Sequence, residues 1–201
     1  MEELENKSYD VNFKQSMKPL KYFDYAVTFA EFPDETALCV NISDCPGLCE
    51  GCSEPWLRDW IGTELTESEI DKLIKNNPGI TLFGFMGGDN DHDDVIRCCK
   101  YIREKYPELK IGIYSGFEYI NIELAQNLDL YKIGRWIMPQ GPVSEWHKTN
   151  CGVLQFPWSN QLMFENKNGK LVNVTYKFRK EKINNPERFI IRSEDDENTK
   201  K

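Results

Sequence analysis

Three cysteines stand close together in Ser43-Asp44-Cys45-Pro46-Gly47-Leu48-Cys49-Glu50-Gly51-Cys52-Ser53, a C-x3-C-x2-C spacing. Thiolates this close on a loop can converge on one soft metal centre. A cubane iron–sulfur cluster normally takes four Cys ligands, so three leave one iron with an open position. By the logic that separates catalytic from structural zinc, an open position is where substrate chemistry happens. Two plainer readings compete. A zinc knuckle usually pairs two short Cys/His groups, but the two histidines, His92 and His147, are single and far apart. Cys39 or Cys151 would have to complete it without a motif. Three unrelated thiols would leave Pro46, Gly47 and Gly51 unexplained, residues that let a backbone fold tightly around a bulky centre.

The elements that must position this loop can be read on either side of it. Ala37-Leu38-Cys39-Val40-Asn41-Ile42 has the pattern of a strand that ends just before the cysteines. Thr66-Glu67-Ser68-Glu69 is a capping-box pattern opening a helix with Ile70, Leu73 and Ile74 on one face, stopped by Asn76-Asn77-Pro78-Gly79. Ile80 to Met86 is a near-continuous apolar run, as in a strand buried on both faces, and Gly87-Gly88-Asp89 follows at once. A second helix is predicted from Asp93 to Tyr106, a strand over Ile111 to Tyr114 followed by Ser115-Gly116, a third helix over Ile120 to Asn127, and a strand over Leu128 to Ile133. This alternation predicts parallel βαβ units with right-handed crossovers. Ligand sites gather at the carboxyl ends of such strands, so the cysteine loop, Gly87-Gly88 and Ser115-Gly116 are expected to meet at one rim. Late in the chain, Gln161 to Glu165 and Leu171 to Tyr176 flank Asn168-Gly169, a hairpin signal. Residues 1–180 read as one domain and 181–201 as a charged, flexible tail, with Phe189-Ile190-Ile191 as a stretch that could dock on the body or a partner.

The formal charge of −8 and pI near 5.0 argue against a nucleic-acid or anionic-membrane partner. The N-terminus lacks a signal-peptide pattern, and no apolar run approaches ~20 residues. Seven cysteines without an export signal fit a reducing, cytoplasmic setting. Cys39, Cys98, Cys99 and Cys151 read as small hydrophobes. Asp89, Asp91, Asp93 and Asp94 read as a solvated helix N-terminus rather than a cation site. On the residues alone, Gly87-Gly88-Asp89 and Ser115-Gly116 read as ordinary turns, and Trp56, Trp60 and Trp158 as packing. No dinucleotide fingerprint, P-loop, zinc-protease motif or nucleophile elbow is present.

The cysteine spacing is the signature of radical S-adenosylmethionine enzymes. From Tyr22 to Phe164 the chain resembles one branch of them, the activating proteins of anaerobic ribonucleoside-triphosphate reductases. The resemblance rests on the Cys49-Glu50-Gly51-Cys52 ending, Ile113-Tyr114-Ser115-Gly116, Ser159-Asn160-Gln161 and, loosely, Phe32-Pro33-Asp34-Glu35. The chain departs from the family at Asp89, where a Glu is usual, at Glu54-Pro55, where Asn-Pro is common, and over Trp136 to Phe156. The resemblance implies a [4Fe–4S] cluster held by Cys45, Cys49 and Cys52, with S-adenosyl-L-methionine on the fourth iron. It places the methionine amino group at the backbone of Gly87, Gly88 and Asp89, with Ser115 nearby. It implies reductive cleavage to a 5′-deoxyadenosyl radical that takes a hydrogen from a glycine of the large reductase subunit, with an electron from a small reducing protein such as flavodoxin. At 201 residues the chain is shorter than the ~250 of a full eight-fold barrel. The expected fold is therefore α/β, a partial (incomplete) β/α barrel of parallel strands with a C-terminal β-hairpin extension. Other readings are a 7-carboxy-7-deazaguanine synthase, another glycyl-radical activase, or a non-enzymatic zinc- or cluster-binding interaction protein. Gly51 and Ser159-Asn160-Gln161 favour the reductase branch.

Overall fold

The computed structural model describes residues 19–138, 140, 146–148, 155–157 and 159–178, giving strand placement alone for 146–148 and 155–157. The tail expected over 181–201, the Phe189-Ile190-Ile191 stretch, Cys151 and Trp158 lie outside the described residues. In chain order the elements are β1 (Lys21–Thr28), β2 (Ala37–Ile42), a 3-10 turn (Pro55–Arg58), β3 (Thr63–Glu64), α1 (Glu67–Asn76), β4 (Leu82–Met86), α2 (His92–Lys105), β5 (Lys110–Tyr114), α3 (Ile122–Ala125) and β6 (Leu130–Ile133). They are followed by β7 (Trp146–Lys148), β8 (Gln155–Pro157), β9 (Leu162–Lys167), β10 (Lys170–Asn173) and a 3-10 turn (Thr175–Phe178).

The helices start where the sequence offers caps. Thr66 accepts the Glu69 N–H at 3.3 Å, but the Glu69 carboxylate turns to the Tyr22 hydroxyl at 2.7 Å, so half of the capping box forms. Asp91 caps α2 by accepting the Asp94 N–H at 3.0 Å. Asp94 accepts the Leu20 N–H and pairs with Arg97, fastening the entry to β1 onto α2.

The strands form one eight-stranded sheet in the order β10-β9-β6-β5-β4-β2-β1-β3, and β7 pairs with β8 in a separate ribbon. The expected parallel set is β2, β4, β5 and β6. The expectation of parallel strands is corrected at both flanks. β1 runs antiparallel to β2 and β3, and β9 antiparallel to β6 and β10. The fold is a mixed α/β fold on a mixed sheet. The Asn168-Gly169 hairpin forms as expected between β9 and β10, but β9 also joins the main sheet.

The two faces of the parallel strands follow the period of two. Leu38, Val40, Ile42, Phe83, Phe85, Ile111, Ile113, Tyr131 and Ile133 face the helices and form the main core with Ile70, Leu73, Val95, Cys98, Cys99, Ile102 and Leu124. The opposite face is ordered in ranks by the register. Cys39, Gly84, Gly112 and Leu130 stand side by side, and one step further Asn41, Met86, Tyr114 and Lys132 do the same. The two adjacent glycines leave a trough, and the fully buried ring of Phe32 fills it. A Cβ at Gly84 would come within 2.5 Å of that ring, and one at Gly112 within 2.3 Å. Tyr114 packs on Phe32 at 5.0 Å between centroids. Phe32, Ala37, Cys39, Leu82, Leu130, Met163 and Val174 make a second, smaller core that floors this face.

This lock gives a double-mutant prediction. Gly112→Ala should destabilise the protein by about 1–3 kcal/mol through overpacking, and Phe32→Ala by about 3–5 kcal/mol through the void it leaves. Placed in the Phe32→Ala background, Gly112→Ala should cost far less than it does alone. Chemical denaturation of the four proteins checks this; additive effects would mean that the ring and the glycine are not coupled.

Candidate metal centre

The cysteine loop leaves β2 through a braced turn. Ser43 is buried; its N–H reaches the Lys21 carbonyl at 2.9 Å and its hydroxyl the Ile61 carbonyl at 2.7 Å. Asp44 takes a positive φ of 62°. The N–H groups of Asp44 and Cys45 then bond the carbonyls of Asp59 and Leu57 at 3.1 and 2.9 Å. Arg58, in the 3-10 turn, closes the loop from outside: its guanidinium donates to the Gly47 carbonyl at 3.1 Å and to the Cys49 carbonyl at 3.0 Å. The loop therefore carries its three thiols on a fixed frame without any disulfide.

Two of the three sulfurs lie beside Gly47. A Cβ on Gly47 would lie 3.4 Å from the Cys45 sulfur and 3.7 Å from the Cys49 sulfur, and the Gly47 N–H donates to Cys45 at 3.4 Å. Gly51 has a φ of +68°, and a Cβ there would press on the Met138 sulfur at 2.9 Å. Burial pushes the Cys45 thiol up from its ordinary pKa, so taking a metal there includes the release of a proton.

All three cysteines line one cavity of about 1100 Å³. Its other walls come from the carboxyl ends of the neighbouring strands and the loops that follow. They include Asn41, Met86, Gly87, Asp89, Tyr114, Ser115, Gly116, Phe117, Lys132 and Gly134, with Ala26 and Thr28 of β1 and Glu31 and Glu54 at the side. The cysteine loop, the Gly87 turn and Ser115-Gly116 meet at one rim, as the strand alternation predicts.

Individual residues of that rim differ in what they offer. Gly87 lines the cavity, with φ +109°. Gly88 shares that φ but faces the core: a Cβ there would meet Val95 at 2.8 Å. Asp89 lines the cavity, yet its carboxylate accepts the Gly116 N–H at 2.6 Å and lies 3.4 Å from the His92 ring. It ties the loop after β4 to the loop after β5. Ser115 is buried, and its hydroxyl accepts the Phe117 N–H at 3.1 Å, which shapes the turn. The Asn160 and Gln161 side chains donate to the carbonyls of Arg135 and Gly134 and hold the end of β6. Cys98 and Cys99 are buried in α2, away from the cavity, and Cys39 is buried on its floor with its thiol pushed up to about 12 by burial.

The sequence reading passed over Lys132, although its signal was there: a lone lysine inside the apolar strand Leu130-Tyr131-Lys132-Ile133. It is 7 % exposed, and burial pulls its ammonium down to about 8. Its Nζ lies 4.3 Å from the Tyr114 ring centroid. Among the described residues it has no hydrogen bond or ion pair. A desolvated cation–π contact offsets roughly 2 kcal/mol, whereas burying an ion carries a penalty of several kcal/mol. Glu31 and Asp89 act on the ammonium through space, so the cavity wall carries a buried positive charge without a direct anionic partner among the described residues. The buried indole N–H of Trp136, also on its wall, lacks an acceptor among the described residues.

These features fit an iron–sulfur cluster. Three soft donors line one cavity, and Gly47 leaves room beside two of them. Among the described residues no three His, Cys, Asp or Glu side chains converge closely enough for a single metal ion, whereas a cubane spreads its ligands over separate corners. The buried cation on the wall suits an anionic occupant.

The Arg58 clamp should govern how firmly the loop keeps a metal. Arg58→Gln should leave the fold's melting temperature within a few degrees of wild type, but should speed loss of iron to a chelator. Equal rates in the two proteins would show that the clamp does not hold the loop.

No curated protein and no solved structure matched this chain in the searches made. A protein-family model did match, over residues 36–147, which is more than half of the chain and includes β2, the cysteine loop and the rim up to β6. That model describes a 4Fe-4S single cluster domain. With three thiols framed on one loop over an open cavity, this chain belongs to the 4Fe-4S single cluster domain family.

Proposed function

We propose that this protein is a radical S-adenosylmethionine activase that generates a glycyl radical on the large subunit of an anaerobic ribonucleoside-triphosphate reductase. The observation that carries the reading is the shared cavity: the C-x3-C-x2-C loop and the carboxyl ends of four parallel strands face one space. Cys45, Cys49 and Cys52 would hold the cluster. A complete parallel barrel is not needed for this, since the four parallel strands of the mixed sheet already bring the rim together. When bound, the cluster and S-adenosyl-L-methionine supply the reductive cleavage that yields a 5′-deoxyadenosyl radical.

The chain's own part is positioning and exclusion of water. Gly87, without a side chain, lets a ligand approach the end of β4 closely. Asp89 holds the Gly116 loop in place, and Ser115 shapes the turn behind it. In this reading Gly88 acts through the turn, since its Cα faces Val95 rather than the cavity. The cavity is large enough for a ligand of S-adenosylmethionine's size, a few hundred Å³ and upwards, with room for a substrate segment. The electron would come from a small reducing protein such as flavodoxin. The zinc-binding interaction reading is the weaker one, because the family match is to a 4Fe-4S domain.

Two experiments test the proposal. Cys45→Ala, Cys49→Ala and Cys52→Ala should each lose the reducible cluster after anaerobic reconstitution, while Cys98→Ala and Cys99→Ala keep it. A Cys98 variant that loses the cluster while the Cys49 variant retains it would sink the ligand assignment. Mixed anaerobically with its reductase, a reductant and S-adenosylmethionine, the wild type should give a glycine-centred signal in electron paramagnetic resonance, with methionine and 5′-deoxyadenosine as products. Cleavage without the glycyl radical would leave the cluster chemistry standing and remove the partner.

A further inference from the structure

We infer that Lys132 is the counter-charge of the metal centre, raising the reduction potential of the cluster by stabilising its more negative, reduced form. The inference rests on the reading that Cys45, Cys49 and Cys52 hold a cluster. It goes beyond that reading by giving an electrostatic task to a residue outside the cysteine loop.

Four observations converge on this lysine. Its side chain is more than nine-tenths buried and lies on the wall of the cavity that the three cysteines line. Among the described residues no carboxylate or carbonyl meets its ammonium; the Tyr114 ring face does, at 4.3 Å. That ring is itself fixed, since the Tyr114 hydroxyl bonds the Glu31 carbonyl and the ring packs on Phe32. Lys132 is also held by register on both sides, opposite Tyr114 on β5 and Met163 on β9. A flexible surface lysine would swing into water; this one is anchored in the middle of a sheet.

The charges that Lys132 feels are Glu31, Asp89 and Cys49. Asp89 is engaged with Gly116 and His92, and among the described residues neither it nor Glu31 hydrogen-bonds or ion-pairs with the lysine, so the ammonium is available to the anionic contents of the cavity. A cubane with three thiolate ligands is anionic, and it gains one further negative charge when it takes an electron from an external one-electron donor. A fixed, buried cation favours that second state over the first. Lys132 therefore makes the cluster easier to reduce without touching it.

The test is a redox titration of the reconstituted protein, without S-adenosylmethionine, using titanium(III) citrate as the reductant and the reduced-cluster paramagnetic signal as the readout. Lys132→Met and Lys132→Gln keep the length of the side chain and remove the charge; Lys132→Arg keeps the charge. The neutral variants should reduce about tenfold less readily than wild type, a shift of about 59 mV to more negative potential for a one-electron couple. Lys132→Arg should stay near wild type. Cluster loss in both neutral variants with retention in Lys132→Arg would also support the inference. Unchanged potentials in loaded neutral variants would overturn it, as would an equal shift in Lys132→Arg or cluster loss in all three, since those mark a packing role. A wild-type protein that takes up no iron and sulfide would instead remove the cluster reading on which the inference stands.

Discussion

The register of four parallel strands is the constraint on which the rest of this molecule depends. β2, β4, β5 and β6 are paired so that equivalent residues stand in ranks. A slip of one residue would turn every side chain to the opposite face. It would bury Lys132 in the helix-facing core and expose Val40, Phe85 and Ile113. It would also separate Gly84 from Gly112 and leave Phe32 without its trough. The floor of the cavity, its walls and the level at which the cysteine loop departs are all consequences of one hydrogen-bond ladder.

On that scaffold the division of labour is clear. The helix-facing side supplies the large continuous core. The opposite side carries a thin core around Phe32 and then opens into the cavity. Loops after β2, β4, β5 and β6 form its rim, each tied to a neighbour: Arg58 to the cysteine loop, Asp89 to Gly116, Gly134 to Phe117 and Gln161 to Gly134. Such bracing holds the rim in one geometry through contacts between its own loops.

Much of this was legible in the sequence because the strongest signals are local. The alternating or continuous apolar runs at 37–42, 80–86 and 111–114, the cap at Thr66 and the Asn168-Gly169 turn each fix an element from within a few residues. The meeting of the special segments at one rim followed from topology alone. β1 was not legible. Its Phe23, Tyr25 and Val27 are partly exposed, and its register is irregular between Tyr22 and Tyr25, so no clean period marks it. The antiparallel flanks were missed for a related reason, since strand order is set by tertiary packing and not by neighbouring residues. The resemblance places the methionine amino group at the backbone of Gly87, Gly88 and Asp89; what a single sequence does not display is that Val95 of the helix behind occupies the side where a Gly88 Cβ would stand. Phe32 and Arg58 act over pairings that a single sequence does not display.

The central claim is that three cysteines hold a four-iron cluster whose remaining iron is open to a ligand in the cavity. The Mössbauer spectrum of protein reconstituted with iron-57, recorded with and without S-adenosylmethionine, tests this most directly. The account predicts that one iron in four changes its parameters when S-adenosylmethionine is added, while the other three keep theirs. Four irons that stay alike with and without the ligand would contradict it, because the cluster would then have no open corner.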